Sequence, residues 1–178
     1  MATVSRIVCV LVLASVGVLV AQGQKAKPVH EQTVFREDEP FQHTVPLAPS
    51  VLRVLLHTKE IEEALDSEND EQQDNPAQLF RAGETHLGGT DDVDLVVVGI
   101  SPLSGADNSW FWVVSSARSA PRVVLWASGN YLEVLDTRTN GYRNIRSFWA
   151  SASTTKSSEY HFNGKEYTLW KERWGKNR

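Results

Sequence analysis

The residues able to do chemistry are few and poorly grouped. The chain has five histidines, His30, His43, His57, His86 and His161. None forms a His-Glu-x-x-His pair, the helical spacing that aims two imidazoles at one zinc. His86 with Asp91, Asp92 and Asp94 comes nearest to a metal cluster. His86 falls at a strand end and the aspartates in a loop, so no metal is expected there. Ser153-Thr154-Thr155-Lys156 has the Ser-x-x-Lys spacing of a nucleophile and its base. That motif must open a helix, whereas residues 151–158 read as strand and turn, and no Lys-Thr-Gly follows. A Gly-x-Ser-x-Gly elbow is also missing. Glu133 and Asp136 are close in sequence, but on a strand they point to opposite faces. Gly88-Gly89 precedes strand residues instead of opening a helix, so it is no phosphate cradle. A hydrolase would have to assemble Asp94, Asp107, Glu133 or Asp136 with His86 or His161 through the fold.

Aromatic and basic residues are better concentrated. All six tryptophans lie between Trp110 and Trp174. Residues 24–109 carry 6 basic and 17 acidic side chains, and residues 110–178 carry 11 and 5. The C-terminal half is thus positive, without the dense Lys/Arg run that nucleic acid demands. Trp110, Trp112 and Trp149 with Arg143, Arg146 and Lys156 form the candidate binding set. Trp110 and Trp112 are two apart and share a strand face. That face is either core beneath a helix or an aromatic platform for a sugar or peptide.

The elements that must position these residues follow from patterning. Arg6 is the only charge in the first 23 residues, and an apolar run spans Ile7–Val20 before Ala21-Gln22-Gly23. This is a signal-peptide pattern with cleavage after Gly23; 14 apolar residues fall short of the ~20 of a membrane span. The single cysteine, Cys9, lies in that core, too early to take a lipid, so the remaining chain has no disulfide or thiolate. Removing Arg6 from 18 basic residues leaves 17 against 22 acids, a net charge of −5. The absence of disulfides and of an Asn-x-Ser/Thr site favours a bacterial source. Residues 24–45 read as a flexible N-terminus. Pro49, an N-cap at Ser50 and apolar residues at Val51, Leu55, Ile61 and Leu65 predict one amphipathic helix over 50–66. An acidic linker covers 67–78. Strands are predicted at 79–87, 93–100, 110–114, 122–127, 131–135, 145–151, 159–162 and 166–170. Val93–Ile100 suits a strand buried on both faces. Turns fall at 104–108, Gly129-Asn130, Asn140-Gly141 and Asn163-Gly164. A two-residue turn at Asn163-Gly164 would put Tyr160, Phe162, Tyr167 and Leu169 on one face.

Asp136-Thr137-Arg138-Thr139-Asn140-Gly141-Tyr142-Arg143-Asn144-Ile145 resembles the calcium loop of FG-GAP repeats, the blades of integrin-alpha-type propellers. Asp136, Asn140, Gly141 and Asn144 fit that frame; Arg138 puts a cation where an oxygen ligand belongs. Gly89-Thr90-Asp91-Asp92-Val93-Asp94-Leu95 is a looser echo. The resemblance implies turn-then-strand geometry, without a strong calcium site and without enough units to close a propeller. The segments Ser104–Val113, Asn140–Ile145 and Tyr160–Tyr167 also resemble exported bacterial proteins of an uncharacterised family, which implies an envelope or secreted location.

The sequence therefore predicts a single α+β domain over 46–178, one N-terminal helix packed on an antiparallel meander of seven to eight strands. It predicts an exported, periplasmic or secreted, non-enzymatic binding protein for a glycan or a protein, with no cofactor, no nucleic acid and no membrane span after cleavage. The alternatives are the small hydrolase above and a structural accessory protein held through its acidic linker or N-terminus.

Overall fold

A computed structural model describes residues 31–66, 75–88, 93–105, 108–116 and 120–177. The expected signal peptide, most of the acidic linker, Asp91, Asp92 and Asp107 lie outside them. The described residues are mostly antiparallel β-sheet, with two short helices. The strands are β1 (Val34–Arg36), β2 (Thr44–Val45), β3 (Phe80–Thr85), β4 (Asp94–Gly99), β5 (Ser104–Gly105), β6 (Asn108–Ser115), β7 (Arg122–Gly129), β8 (Tyr131–Thr139), β9 (Tyr142–Ala150), β10 (Thr154–Phe162) and β11 (Tyr167–Lys176). The helices are α1 (Pro49–Leu56) and α2 (Lys59–Asp66). None is long and apolar enough to cross a membrane.

Two sheets replace the single expected meander. One is five-stranded, in the order β1-β8-β9-β10-β11. The other has six strands, β2-β3-β4-β6-β5, with β7 on the remaining edge of β6. The switch occurs at Gly129-Asn130, expected to be a hairpin turn. β7 pairs with β6, whereas β8 pairs with β9 and β1. A Cβ on Gly129 would lie 2.5 Å from the Phe148 carbonyl oxygen, so only glycine lets the two sheets approach at this corner. The Asn130 amide donates to that same oxygen at 2.7 Å.

The six-stranded sheet is covered on both faces, as the valine run of β4 requires. Val96 and Val98 enter the core between the sheets with Phe111, Val113, Leu132, Val134 and Ile145. Their neighbour Val97 enters a second core with Trp112, Val114, Leu55 and Ile61, beneath the helices. Period-two alternation of apolar side chains on β4 and β6 thus feeds two layers at once.

Three further expectations are corrected. The helix over 50–66 is broken at His57-Thr58. Thr58 turns its hydroxyl back onto the Leu55 carbonyl (2.8 Å), and its own carbonyl accepts from the Ile61 and Glu62 amides, starting α2. Ala48, not Ser50, occupies the N-cap of α1, with Pro49 opening the helix. The N-terminal segment from residue 31 is built into the fold. Phe35 and Phe41 are buried edge to face, 5.2 Å apart, while β1 joins one sheet and β2 the other. Two large aromatics outweigh the polar composition around them.

The turns divide. Asn140 (φ 51°) and Gly141 (φ 83°) make the two-residue β8–β9 turn. At Asn163-Gly164 the turn is two residues longer than expected. Phe162 pairs with Tyr167 and Tyr160 with Leu169, because the Asn163 side chain accepts from the Lys165 and Glu166 amides. A two-residue slip preserves parity, so the expected face is kept.

Candidate functional site

The face of the five-stranded sheet turned away from the core carries two cross-strand rows. One runs Glu133, Arg146, Glu159, Lys171 across β8 to β11. The next runs Arg36, Tyr131, Phe148, Ser157, Arg173 across β1 to β11. Directly opposed residues on antiparallel strands project from the same face, so pairing alone assembles these side chains.

In the first row Arg146 lies between two carboxylates, 3.2 Å from Glu133 and 3.8 Å from Glu159. Glu159 continues to His161 Nε2 at 2.9 Å, and the His161 ring stacks on Trp170, 4.9 Å away and 10° from parallel. In the second row Tyr131 stacks on Phe148 at 5.0 Å, with the Arg36 guanidinium 4.7 Å above the tyrosine ring. Burial, and then the nearby Glu133, push the Tyr131 hydroxyl above its ordinary value. It stays a neutral donor at physiological pH.

The Tyr131–Phe148 pair separates two shallow depressions. One, of about 450 Å³, is lined by Arg36, Glu37, Asp38, Asn108 and Asn130. The other, of about 290 Å³, is lined by Arg146, Ser157, Glu159, Lys171 and Arg173. Lys171 and Arg173 form no ion pair among the described residues.

The binding residues expected from sequence are dispersed. Trp112 is completely buried beneath the helices, and half-buried Trp110 packs edge to face on it at 6.1 Å. The two tryptophans form a helix-packing face, so Trp112 offers no platform. Arg143 is also buried, pinned by Glu31 at 2.8 Å and Asp136 at 3.1 Å. It anchors the N-terminal segment to β9, and its charge is spent there. Trp149 and Lys156 sit on the opposite face from Arg146. Lys156 pairs with Glu172 at 2.9 Å and lies over the Trp174 ring. Arg146 alone of the six stands on the open face.

The residues proposed for hydrolysis do not converge. Asp94 is in the core, accepting from the Leu87 amide. Asp136 is exposed on the β8–β9 hairpin, and His86 sits 3.4 Å from Glu31. Glu133 and His161 do share the open face, with Arg146 and Glu159 between them. In the loop resembling an FG-GAP site, Asn140 donates to the Phe162 carbonyl and Asn144 to the Thr137 hydroxyl. Arg138 donates to the Leu87 and Gly141 carbonyls. The loop's polar groups hold the hairpin together.

Sequence reasoning missed Arg36, Tyr131, Phe148, Lys171 and Arg173. Arg146 with Phe148, and Lys171 with Arg173, are two apart, the signal for a shared face. Which strands lie side by side was not readable from spacing. No family model, curated protein or solved structure matches the chain.

Proposed function

We propose that this is an exported binding protein that engages another protein through the open face of its five-stranded sheet. Export rests on the N-terminal signal pattern. The binding role rests on one observation: two in-register rows expose cations of β11 beside alternating charges and an aromatic pair. Of the two ligand classes expected from the sequence, the geometry favours protein over glycan. A sugar platform needs an open ring face. The Tyr131 ring is taken up by Phe148 and Arg36, and Trp170 on the same face is stacked on His161. A broad surface of mixed charge with shallow depressions suits a protein partner. The hydrolase reading has less support, because Arg146 lies between the two carboxylates and engages both in ion pairs.

A photo-crosslinking residue at Phe148 tests this in cells exporting the protein. A saturable protein adduct is expected from Phe148, not from Glu60 on α2, and it should vanish with Arg146→Glu. Equal adducts from both positions would overturn the assignment. A saturable tryptophan-fluorescence change with cell-wall glycans, abolished by Arg146→Glu, would transfer the face to a glycan.

A further inference from the structure

We infer that the free edge of β11 accepts an extended segment of a partner protein as an added antiparallel strand, and that this segment alternates acidic with apolar residues. The inference rests on reading the protein as a protein-binding module, and it names the backbone edge that borders the face above and shares Lys171 and Arg173 with it. β11 is ten residues long and, among the described residues, ends its sheet, paired only with β10. Beyond Tyr167 the whole strand is exposed, including Leu169 (55%), Trp170 (68%) and Trp174 (62%). An edge with large apolar side chains is a template for another strand.

The backbone groups available can be assigned. The Asn177 amide donates to the Ser153 carbonyl at 3.1 Å. Pairing is unbroken from Lys171–Glu159 to Lys176–Thr154. Antiparallel ladders alternate, so Gly175, Arg173 and Lys171 turn their amides and carbonyls toward β10. Glu172, Trp174 and Lys176 turn theirs toward the open edge. The register shift that leaves Trp170 unpaired bends the strand before this stretch and does not interrupt it.

Charge selects the occupant. The stretch carries Lys171, Arg173 and Lys176 against Glu172, which is already bound by Lys156 and by the Trp174 indole. Those two hydrogen-bond donors hold the Glu172 carboxyl below the usual glutamate range. A second copy brings positive charge to positive charge. Antiparallel self-pairing centred on Lys171, Glu172 or Arg173 sets like charges directly opposite. Centred on Trp174 it sets Glu172 against Lys176, but leaves Lys171 opposite Asn177 and Arg173 opposite Gly175, with no anionic partner for either. An acidic strand does the reverse. Its acidic side chains would meet Lys171 and Arg173 on the open face, and its alternate apolar side chains would lie beside Trp174 on the other.

The test is amide hydrogen exchange of the purified protein with an octapeptide alternating glutamate and valine. New protection is expected at the Glu172, Trp174 and Lys176 amides, with little change at Lys171, Arg173 and Gly175. The Lys171→Glu/Arg173→Glu variant should weaken binding by about tenfold or more, and an octapeptide of lysine and valine should not bind. Lys176→Pro removes one open-edge donor without touching the face rows. It should lose the peptide and retain its melting temperature and the Phe148 adduct. Arg146→Glu should lose the adduct and retain the peptide, so the two readings fail separately. Peptide bound without new protection at those three amides would overturn strand addition. So would concentration-dependent dimerisation that protects them without peptide, or binding of phosphatidylglycerol vesicles in place of peptide.

Discussion

The two sheets of this molecule are stabilised in different ways. The six-stranded sheet lies between two apolar layers, and its central strands β4 and β6 have no solvent face. The five-stranded sheet has one apolar face; the other is a lattice of charges and rings. Its hairpin end is fastened by ions: Arg143 is buried against Glu31 and Asp136, and Tyr167 donates to the Arg143 carbonyl at 2.7 Å. Burial, followed by the charge of Asp94 and the neighbouring Tyr142, drives the Tyr167 hydroxyl far above its ordinary value. One sheet is therefore invested in stability, while the other leaves a face and an edge for contacts.

The largest test of this difference removes a tryptophan from each sheet. Trp112 is fully buried, so Trp112→Ala should cost about 3–5 kcal/mol by urea denaturation. Its indole Nε1 finds no hydrogen-bond partner among the described residues. Trp112→Phe, which keeps a ring and deletes that donor, should cost much less, about 1 kcal/mol. Trp174→Ala on β11 should change stability by less than about 0.5 kcal/mol. Equal losses at Trp112 and Trp174 would erase the distinction between the sheets.

A smaller effect is expected where ions replace apolar packing. Arg143→Met keeps much of the stem but leaves Glu31 without its cation. The cost should be about 2 kcal/mol, below that of a fully buried pair because Glu31 remains partly exposed. Denaturant midpoints at matched slopes would measure it. A neutral outcome would mean that packing alone docks the N-terminal segment.

Legibility in the sequence follows the same division. All eight expected strands are present, and the double burial of β4 follows from its unbroken valine run, since water tolerates no such strand. Phe35 and Phe41 escaped notice because the segment around them is mostly polar, with Arg36, Glu37, Asp38 and Glu39 between them, and an isolated aromatic in polar sequence has no period. The sheet switch at Gly129-Asn130 looks locally like any hairpin turn. Its cause is the Phe148 carbonyl, nineteen positions past Gly129 and brought there only by the fold. The open face was hidden for a related reason. Alternation tells which residues share a face of one strand, but the rows from Glu133 to Lys171 need the order of four strands. Tryptophan count pointed instead to Trp110 and Trp112, whose size makes them good core.

The smallest effect is a pH dependence confined to the ionic end. Burial opposes ionisation of Glu31, yet the His86 amide, Arg143 and the Thr85 hydroxyl outweigh it and hold the carboxyl below its ordinary value of 4.5. A carboxyl with a lowered folded-state pKa stabilises the fold fully above its unfolded value, and that contribution fades as pH falls through the folded value. Wild type should therefore be more stable than Glu31→Gln near neutral pH, and the gap should close in acid, as pH falls below the ordinary glutamate range. Chemical denaturation of both proteins across that range measures the gap. A gap that persists unchanged in acid would assign the contribution of Glu31 to hydrogen bonding that glutamine cannot reproduce, and not to its charge beside Arg143. The Trp112→Ala loss arises from apolar burial and should keep its size over the same pH range, which separates the two sheets by a second measurement.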